Sequence, residues 1–341
     1  MGLRVGIAGY GLAGAVFHAP LVDAVDGLEV AGIVTTSAER AEKARAAYPR
    51  AAVVPALDAL WGEIDVLVVA APNRAHVPVA LAGIERGVAV VVDKPLAVSV
   101  GDAERLLAAG GALTVFQNRR WDGDFLTVRR LLEEGTLGRV VRFESRFERF
   151  RPEVAAGRWR ELGDPAEGGG LLLDLGAHLV DQARELFGDP LAVYAEIGAR
   201  RAGAQVEDDV FLALEHAGGE SSHLWMSSVA ALHGPRFRVS GGRAGFACDG
   251  LDPQEAQLGA GRRPRDPDYG RGGDGLLVDA DGERRVRLER GAYQEFYVRV
   301  HDWLAADGSV PVDPADSVAG LRVLEAARRS AATRTVEEVS P

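Results

Sequence analysis

The chain has 341 residues, 47% hydrophobic and 26% charged, with a formal net charge of −11. That length predicts two domains, and the balance excludes a disordered chain. The acidic surplus argues against a nucleic-acid or anionic-membrane surface, and the lone Cys248 excludes an internal disulfide or thiolate cluster.

The chain opens on a strand pattern without a basic-then-apolar leader, and no apolar run approaches about 18 residues. The expectation is a cytoplasmic protein with no membrane or nucleic-acid partner. Leu3–Ala8 reads as a buried parallel strand, followed at once by Gly9, Tyr10, Gly11, Leu12, Ala13 and Gly14 and then a helix-like run to Val25. A GxGxxG pattern between strand and helix is a phosphate-binding turn. Gly9 permits the tight turn, Gly11 admits a pyrophosphate, and Gly14 lets helix and strand pack closely. The free N–H groups at the helix start suit an anion.

Apolar strands and helical periodicities then alternate: Leu28–Val34, Ala38–Ala47, Ala52–Val54, Leu57–Trp61, Val66–Ala70, Pro78–Arg86, Val88–Val92, Gly101–Ala109 and Leu113–Phe116. Valine-rich runs between helices predict a parallel sheet covered on both faces. The first domain is therefore a doubly wound, Rossmann-type dinucleotide-binding domain over residues 1–118.

The tip of the second strand selects the nucleotide. An NAD site usually places a carboxylate there for the adenosine ribose. Here Thr35, Thr36 and Ser37 are followed by Arg40, and hydroxyls with a guanidinium suit a 2′-phosphate. The expectation is NADP, with NAD as the alternative. Ser37 also serves as a helix cap. Further strand tips facing a cofactor are Ala71, Pro72 and Asn73, with His76 nearby, and Asp93-Lys94-Pro95.

Lys94 stands out by composition, because only Lys43 and Lys94 among the 39 basic residues are lysine. Lysine is a compact charge that responds to burial, unlike arginine. At a strand tip on the ligand edge, Lys94 is a candidate catalytic residue.

Beyond Asn118 the alternation stops, and residues 119–341 form the second expected domain. Asp124–Glu134 reads as a helix and Val140–Phe147 as a strand. Gly168, Gly169 and Gly170 lead into a helix over Leu171–Phe187. Short strands follow at Ala192–Gly198, Val210–Glu215, His223–Ser228, Phe237–Ser240, Ala244–Cys248, Leu276–Asp279 and Arg284–Leu288. They predict a large, mainly antiparallel open sheet in an α+β domain. Gly250–Gly275 reads as a long surface excursion, and helices near Ala292–Ala306 and Pro314–Thr333 end the chain. Asp174, His178 and Asp181 share a helix face, and histidine is the natural base for a hydroxyl proton near neutral pH. No metal is expected, since no histidine has a metal-binding spacing such as HExxH. Arg120, beside Arg119, is a candidate for substrate binding, and Trp159 with Arg160 precede the glycines.

The glycine turn, the Pro72-Asn73-x-x-His76 segment and the Asp93-Lys94-Pro95 tripeptide together resemble the Gfo/Idh/MocA oxidoreductases. The longer runs GYGLAGAVFHAPLV, FQNRRWDGDFLTVRRLL and FESRFERFRPEV resemble that family's NADP-dependent scyllo-inositol dehydrogenase branch. The resemblance implies that the GGG-x3-D-x3-H pattern supplies His178 as acid–base and Asp174 as its orienting partner. Lys94 then holds the reacting oxygen, and Trp159 with Arg160 resemble the family's substrate-side segment. Asp93 departs mildly from the commoner glutamate. A cleft between the domains would take a polyol or sugar, with scyllo-inositol and its ketone as the implied substrate pair. The alternatives are an aldose or another inositol, an NAD-dependent glycosidase, or a non-catalytic cofactor-binding regulator. An uncovered sheet face predicts a homodimer or homotetramer.

Overall fold

A computed structural model describes residues 2–154, 161 and 168–339. It divides into two compact units, each drawn from separated stretches of chain. The first comprises Met1–Asp122, Pro253–Gly270 and Gly291–Ala315; the second comprises Gly123–Asp252, Arg271–Arg290 and Asp316–Pro341.

The first unit is built on β1 (Leu3–Ala8), β2 (Leu28–Val34), β3 (Ala52–Val54), β4 (Val66–Val69), β5 (Ala89–Asp93) and β6 (Leu113–Phe116). They form one sheet in the order β3-β2-β1-β4-β5-β6, with every neighbouring pair parallel. Val66–Val69 and Val90–Val92 are wholly buried, as strands covered on both faces must be. Each such valine contributes about 1.5–3 kcal/mol by leaving water. The connecting helices are α1 (Ala19–Asp23), α2 (Ala38–Ala47), α3 (His76–Ile84) and α4 (Val100–Ala109). The order reverses beside β1, so the carboxyl ends of β1 and β4 border the crevice where such sheets take ligands.

The segment after the glycine turn is not an ordinary α-helix. Ala13–His18 is a π-helix, closed by the Ala19 N–H donating to the Gly14 carbonyl five residues back. Pro20 gives a physical reason: it has no N–H to donate and crowds the carbonyl four residues earlier, so a regular turn is disfavoured.

The expected surface excursion at Gly250–Gly275 is corrected by the structure. Gln254–Gly259 is a helix, and Gln254, Leu258 and Tyr269 are buried within the first unit. The Gln254 amide nitrogen donates to the Trp121 carbonyl (3.0 Å), and its oxygen accepts the Tyr293 N–H (2.7 Å). The stretch has a loop's composition, yet a few large side chains dock it. A further helix of this unit, Gln294–Ala305, packs Phe296 edge-on against Phe116 with ring centroids 5.0 Å apart.

The second unit opens with α5 (Gly123–Glu133) and contains α6 (Leu171–Asp174), α7 (Gly176–Phe187) and the helix Pro314–Thr333. Its strands are β7 (Val140–Glu148), β8 (Pro190–Gly198), β9 (Asp209–His216), β10 (Ser221–Ser227), β11 (Phe237–Gly241), β12 (Ala244–Cys248), β13 (Asp274–Asp279), β14 (Gly282–Arg287) and β15 (Glu337–Glu338). Among the described residues they form one nine-stranded sheet, β14-β13-β12-β11-β7-β10-β9-β8-β15. All its pairs are antiparallel except β7 with β10. Alternation divides the faces. Val210, Leu212, Leu214, Leu224 and Met226 are buried, whereas Phe211, His223 and Trp225 stay half-exposed on the other side. There the Arg146 guanidinium lies 3.9 Å over the Trp225 ring. Among the described residues, no helix is long and apolar enough to cross a membrane.

Candidate active site

In the first unit the glycine turn is shaped by what it cannot accommodate. Gly9 adopts φ +108°, and a β-carbon there would run into the Ala70 carbonyl. A β-carbon on Gly14 would run into the Gly9 carbonyl oxygen. These two positions therefore let the turn close tightly and the following helix pack on the strand, while at Gly11 a β-carbon would meet only the Arg40 guanidinium, at 3.8 Å. Tyr10 buries its side chain, and burial pushes its phenol up, so only its backbone is available to a ligand; the neighbouring Leu12 is exposed and Ala13 half-buried.

At the tip of β2, Thr35 Oγ1 accepts the Ser37 N–H and Ser37 Oγ accepts the Arg40 N–H, each at 3.3 Å. Thr36 is exposed beside them. Ser37 thus caps α2, as its position implies. Arg40 reaches back over the glycine turn, its Nη1 3.8 Å from where a Gly11 β-carbon would stand. No carboxylate occupies this tip, since its residues are Thr35, Thr36 and Ser37.

The tips of β4 and β5 are tied together by His76. Its Nδ1 lies 2.8 Å from the Pro95 carbonyl oxygen and its Nε2 3.0 Å from that of Ala71. The buried imidazole thereby holds the Ala71-Pro72-Asn73 turn against the Asp93-Lys94-Pro95 turn. Lys94 is half-buried, and the Lys94–Pro95 peptide is cis. Asp93 Oδ1 accepts the Lys94 backbone N–H at 2.9 Å. Burial pushes the Asp93 carboxyl up, but the facing His18 imidazole, with the charges of Lys94 and His76, outweighs it and holds it low. Beyond β6, Arg119 and Arg120 are buried; Arg119 pairs with Asp122 (3.3 Å) and Glu255 (2.9 Å).

In the second unit the glycine run enters α6 through two positive-φ residues, Gly168 (φ +82°) and Gly170 (φ +91°). The single expected helix is interrupted. Asp174 ends α6, Leu175 intervenes, and His178 lies in the first turn of α7, buried with Asp181. Gly176 lets the break pack tightly, because a β-carbon there would stand 3.1 Å from Leu324 and 3.4 Å from the Met226 sulfur. Trp159 and Arg160 lie outside the described residues.

Two supports of this region carry no motif. Arg201 pairs with Asp208 (2.8 Å) and also donates to the carbonyls of Arg151 and Glu153 and to Glu161. Glu207 lies beside Gly170 and accepts from Arg328 at 3.2 Å. The second could not be found from local spacing, since Glu207 and Arg328 are 121 residues apart.

A six-stranded parallel sheet with a tight glycine turn at its switch point defines a dinucleotide-binding protein. The family model described as "Oxidoreductase family, NAD-binding Rossmann fold" matches residues 3–112, and that of the GFO/IDH/MocA C-terminal domain matches residues 125–247. The chain belongs to the Gfo/Idh/MocA family of NAD(P)-dependent oxidoreductases. It is 40% identical to the uncharacterized oxidoreductase YdgJ of Escherichia coli K12, over 97% of each chain. It is 35% identical to IolW of Bacillus subtilis, a scyllo-inositol 2-dehydrogenase (NADP(+)), over 96% of this chain and 93% of that protein. Among solved structures, the YPO2259 oxidoreductase of Yersinia pestis superimposes with a TM-score of 0.93 at 36% identity, covering 100% of this chain and 98% of that one.

Proposed function

We propose that this protein is an NADP-preferring dehydrogenase acting on a ring CH–OH group of a polyol or sugar, with scyllo-inositol and its ketone as the substrate pair. The observation that carries the nucleotide preference is the exposed Arg40, lying over Gly11 beside a strand tip that bears hydroxyls and no carboxylate. A guanidinium there suits a 2′-phosphate and would gain little from an unsubstituted ribose hydroxyl. The substrate assignment rests on similarity to IolW, whose name states that activity.

The residues divide the work by chemistry. Gly9 and Gly14 close the turn, Gly11 leaves its backbone unobstructed for the pyrophosphate, and the turns at Ala71–Asn73 and Asp93–Lys94 are the edge available to the nicotinamide half. When bound, the nicotinamide accepts or donates the hydride. His178 takes up or returns the hydroxyl proton, Asp174 orients it, and Lys94 steadies the reacting oxygen as charge develops. Trp159, Arg160 and Arg120 assist in holding the substrate. The half-exposed sheet face bearing Phe211, His223 and Trp225 supports self-association as a dimer or tetramer, which light scattering of the purified protein would report.

The deciding experiment is a panel of inositols and aldoses with NADP and with NAD, followed by nicotinamide absorbance. Oxidation of scyllo-inositol with stoichiometric NADPH formation is expected. Binding of NADP without turnover of any CH–OH compound would overturn the assignment.

A further inference from the structure

His18 is the last residue of the π-helix and is fully buried. Its ring lies between three groups of the first unit. Nδ1 is 2.6 Å from the Tyr297 hydroxyl, the ring stacks at 4.5 Å on Phe116, and Nε2 is 3.8 Å from Asp93 Oδ1. That Nε2 is buried and has no hydrogen-bond partner, since 3.8 Å is too long for one. The oxygen it faces is the same one that accepts the Lys94 backbone N–H. A buried polar nitrogen is costly unless satisfied, so a histidine aimed at a carboxylate in an aromatic pocket is not a neutral choice of packing residue. The wider π-turn, a feature that recurs at functional sites, is what delivers this ring to the end of β5.

We propose that His18 is a positioning residue, which with Tyr297 behind it holds Asp93 as the carboxylate that fixes the Lys94 turn. This deepens the function proposed above and rests on it for the role of Lys94. The groups facing Asp93 are His18 from the π-helix, His76 from α3, Lys94 from its own turn and Tyr297 from the helix Gln294–Ala305. Burial, and then Asp93, push the Tyr297 phenol well up, so its hydroxyl keeps its proton and can donate to His18 Nδ1. Nε2–H is then left to point at Asp93. Removing His18 leaves burial to act on Asp93 against weaker opposition, and its titration moves upward.

The test uses the full chain labelled with ¹³C-carboxyl aspartate, the Asp93 resonance being identified by its loss in Asp93→Asn. Substituting His18→Gln should raise the Asp93 titration midpoint by about one unit. The acid limb of the kcat/KM profile should move with it, costing about tenfold at acid pH and little on the alkaline side. Tyr297→Phe, which keeps the ring packing, should give a smaller shift of the same sign. An unmoved Asp93 titration in His18→Gln, with only thermal stability lowered, would return His18 to a packing role. Should that variant fail to fold, Tyr297→Phe decides, and no shift there overturns the proposal. The titration needs no substrate, so lack of turnover on polyols would refute the proposed function separately.

Discussion

The Glu207 carboxylate lies where Gly170 would carry a β-carbon, so the glycine run before α6 is dictated by an acid 37 positions along the chain. At φ +91° an L side chain would also be strained. Gly170→Ala should therefore destabilise the protein by about 1–3 kcal/mol in denaturant unfolding. Because α6 ends at Asp174, kcat should fall as well. Loss of less than about 0.5 kcal/mol would show the turn to be indifferent to its glycine.

Arg40 gives a selective test of nucleotide preference. A charge-assisted contact to a phosphate contributes about 1.5–3 kcal/mol. Arg40→Ala should thus raise the KM for NADP about ten- to a hundredfold and leave that for NAD nearly unchanged. Equal changes for both nucleotides would remove Arg40 from the 2′-phosphate site.

Lys94 is half-buried at the tip of β5, where a planar guanidinium is a poor substitute for a compact ammonium. Lys94→Arg should fold, bind NADP with near-normal affinity by fluorescence titration, and lose about a hundredfold or more in kcat. Near-normal turnover would make Lys94 a surface-turn residue.

Asp208 supplies a pH signature of stability. Burial pushes its carboxyl up, but the Arg200 and Arg201 N–H groups and the Arg201 side chain overcome that and leave it below the usual range. A depressed folded value means stability fully present above the unfolded value, about 3.9, and lost as pH falls through the folded one. Unfolding free energy should then decline as pH drops below about 4. Asp208→Asn should flatten this decline and cost about 3–5 kcal/mol at neutral pH, since Arg201 is left buried beside it. An acid slope as steep as that of the native protein would show that the carboxyl contributes nothing to it.

The first sheet was legible because each strand is a local apolar run and each tip a local motif. Val66–Val69, Val90–Val92 and the glycine turn needed no distant partner to be recognised. Lys94 stands out by composition and strand position, both of which are local. Long-range relationships were not legible. Nothing near Val140 indicates parallel pairing of β7 with β10, some 80 residues later. The Gly250–Gly275 stretch reads as loop because glycine, proline and arginine dominate it, whereas Gln254 and Tyr269 decide its placement. The break at Leu175 adjoins Gly176, which packs close to Leu324, a contact that helical periodicity does not report.

The composition of the first unit bears on how the chain matures. His18 meets Tyr297 across 279 positions, and Thr114 meets Val312 across 198. A ribosome adding about 5–20 residues per second delivers Tyr297 tens of seconds after His18 has emerged. Through that interval the nascent sheet holds Phe116 without its later aromatic neighbours. The nucleotide half of the protein, although encoded first, is therefore among the last parts to be completed during translation.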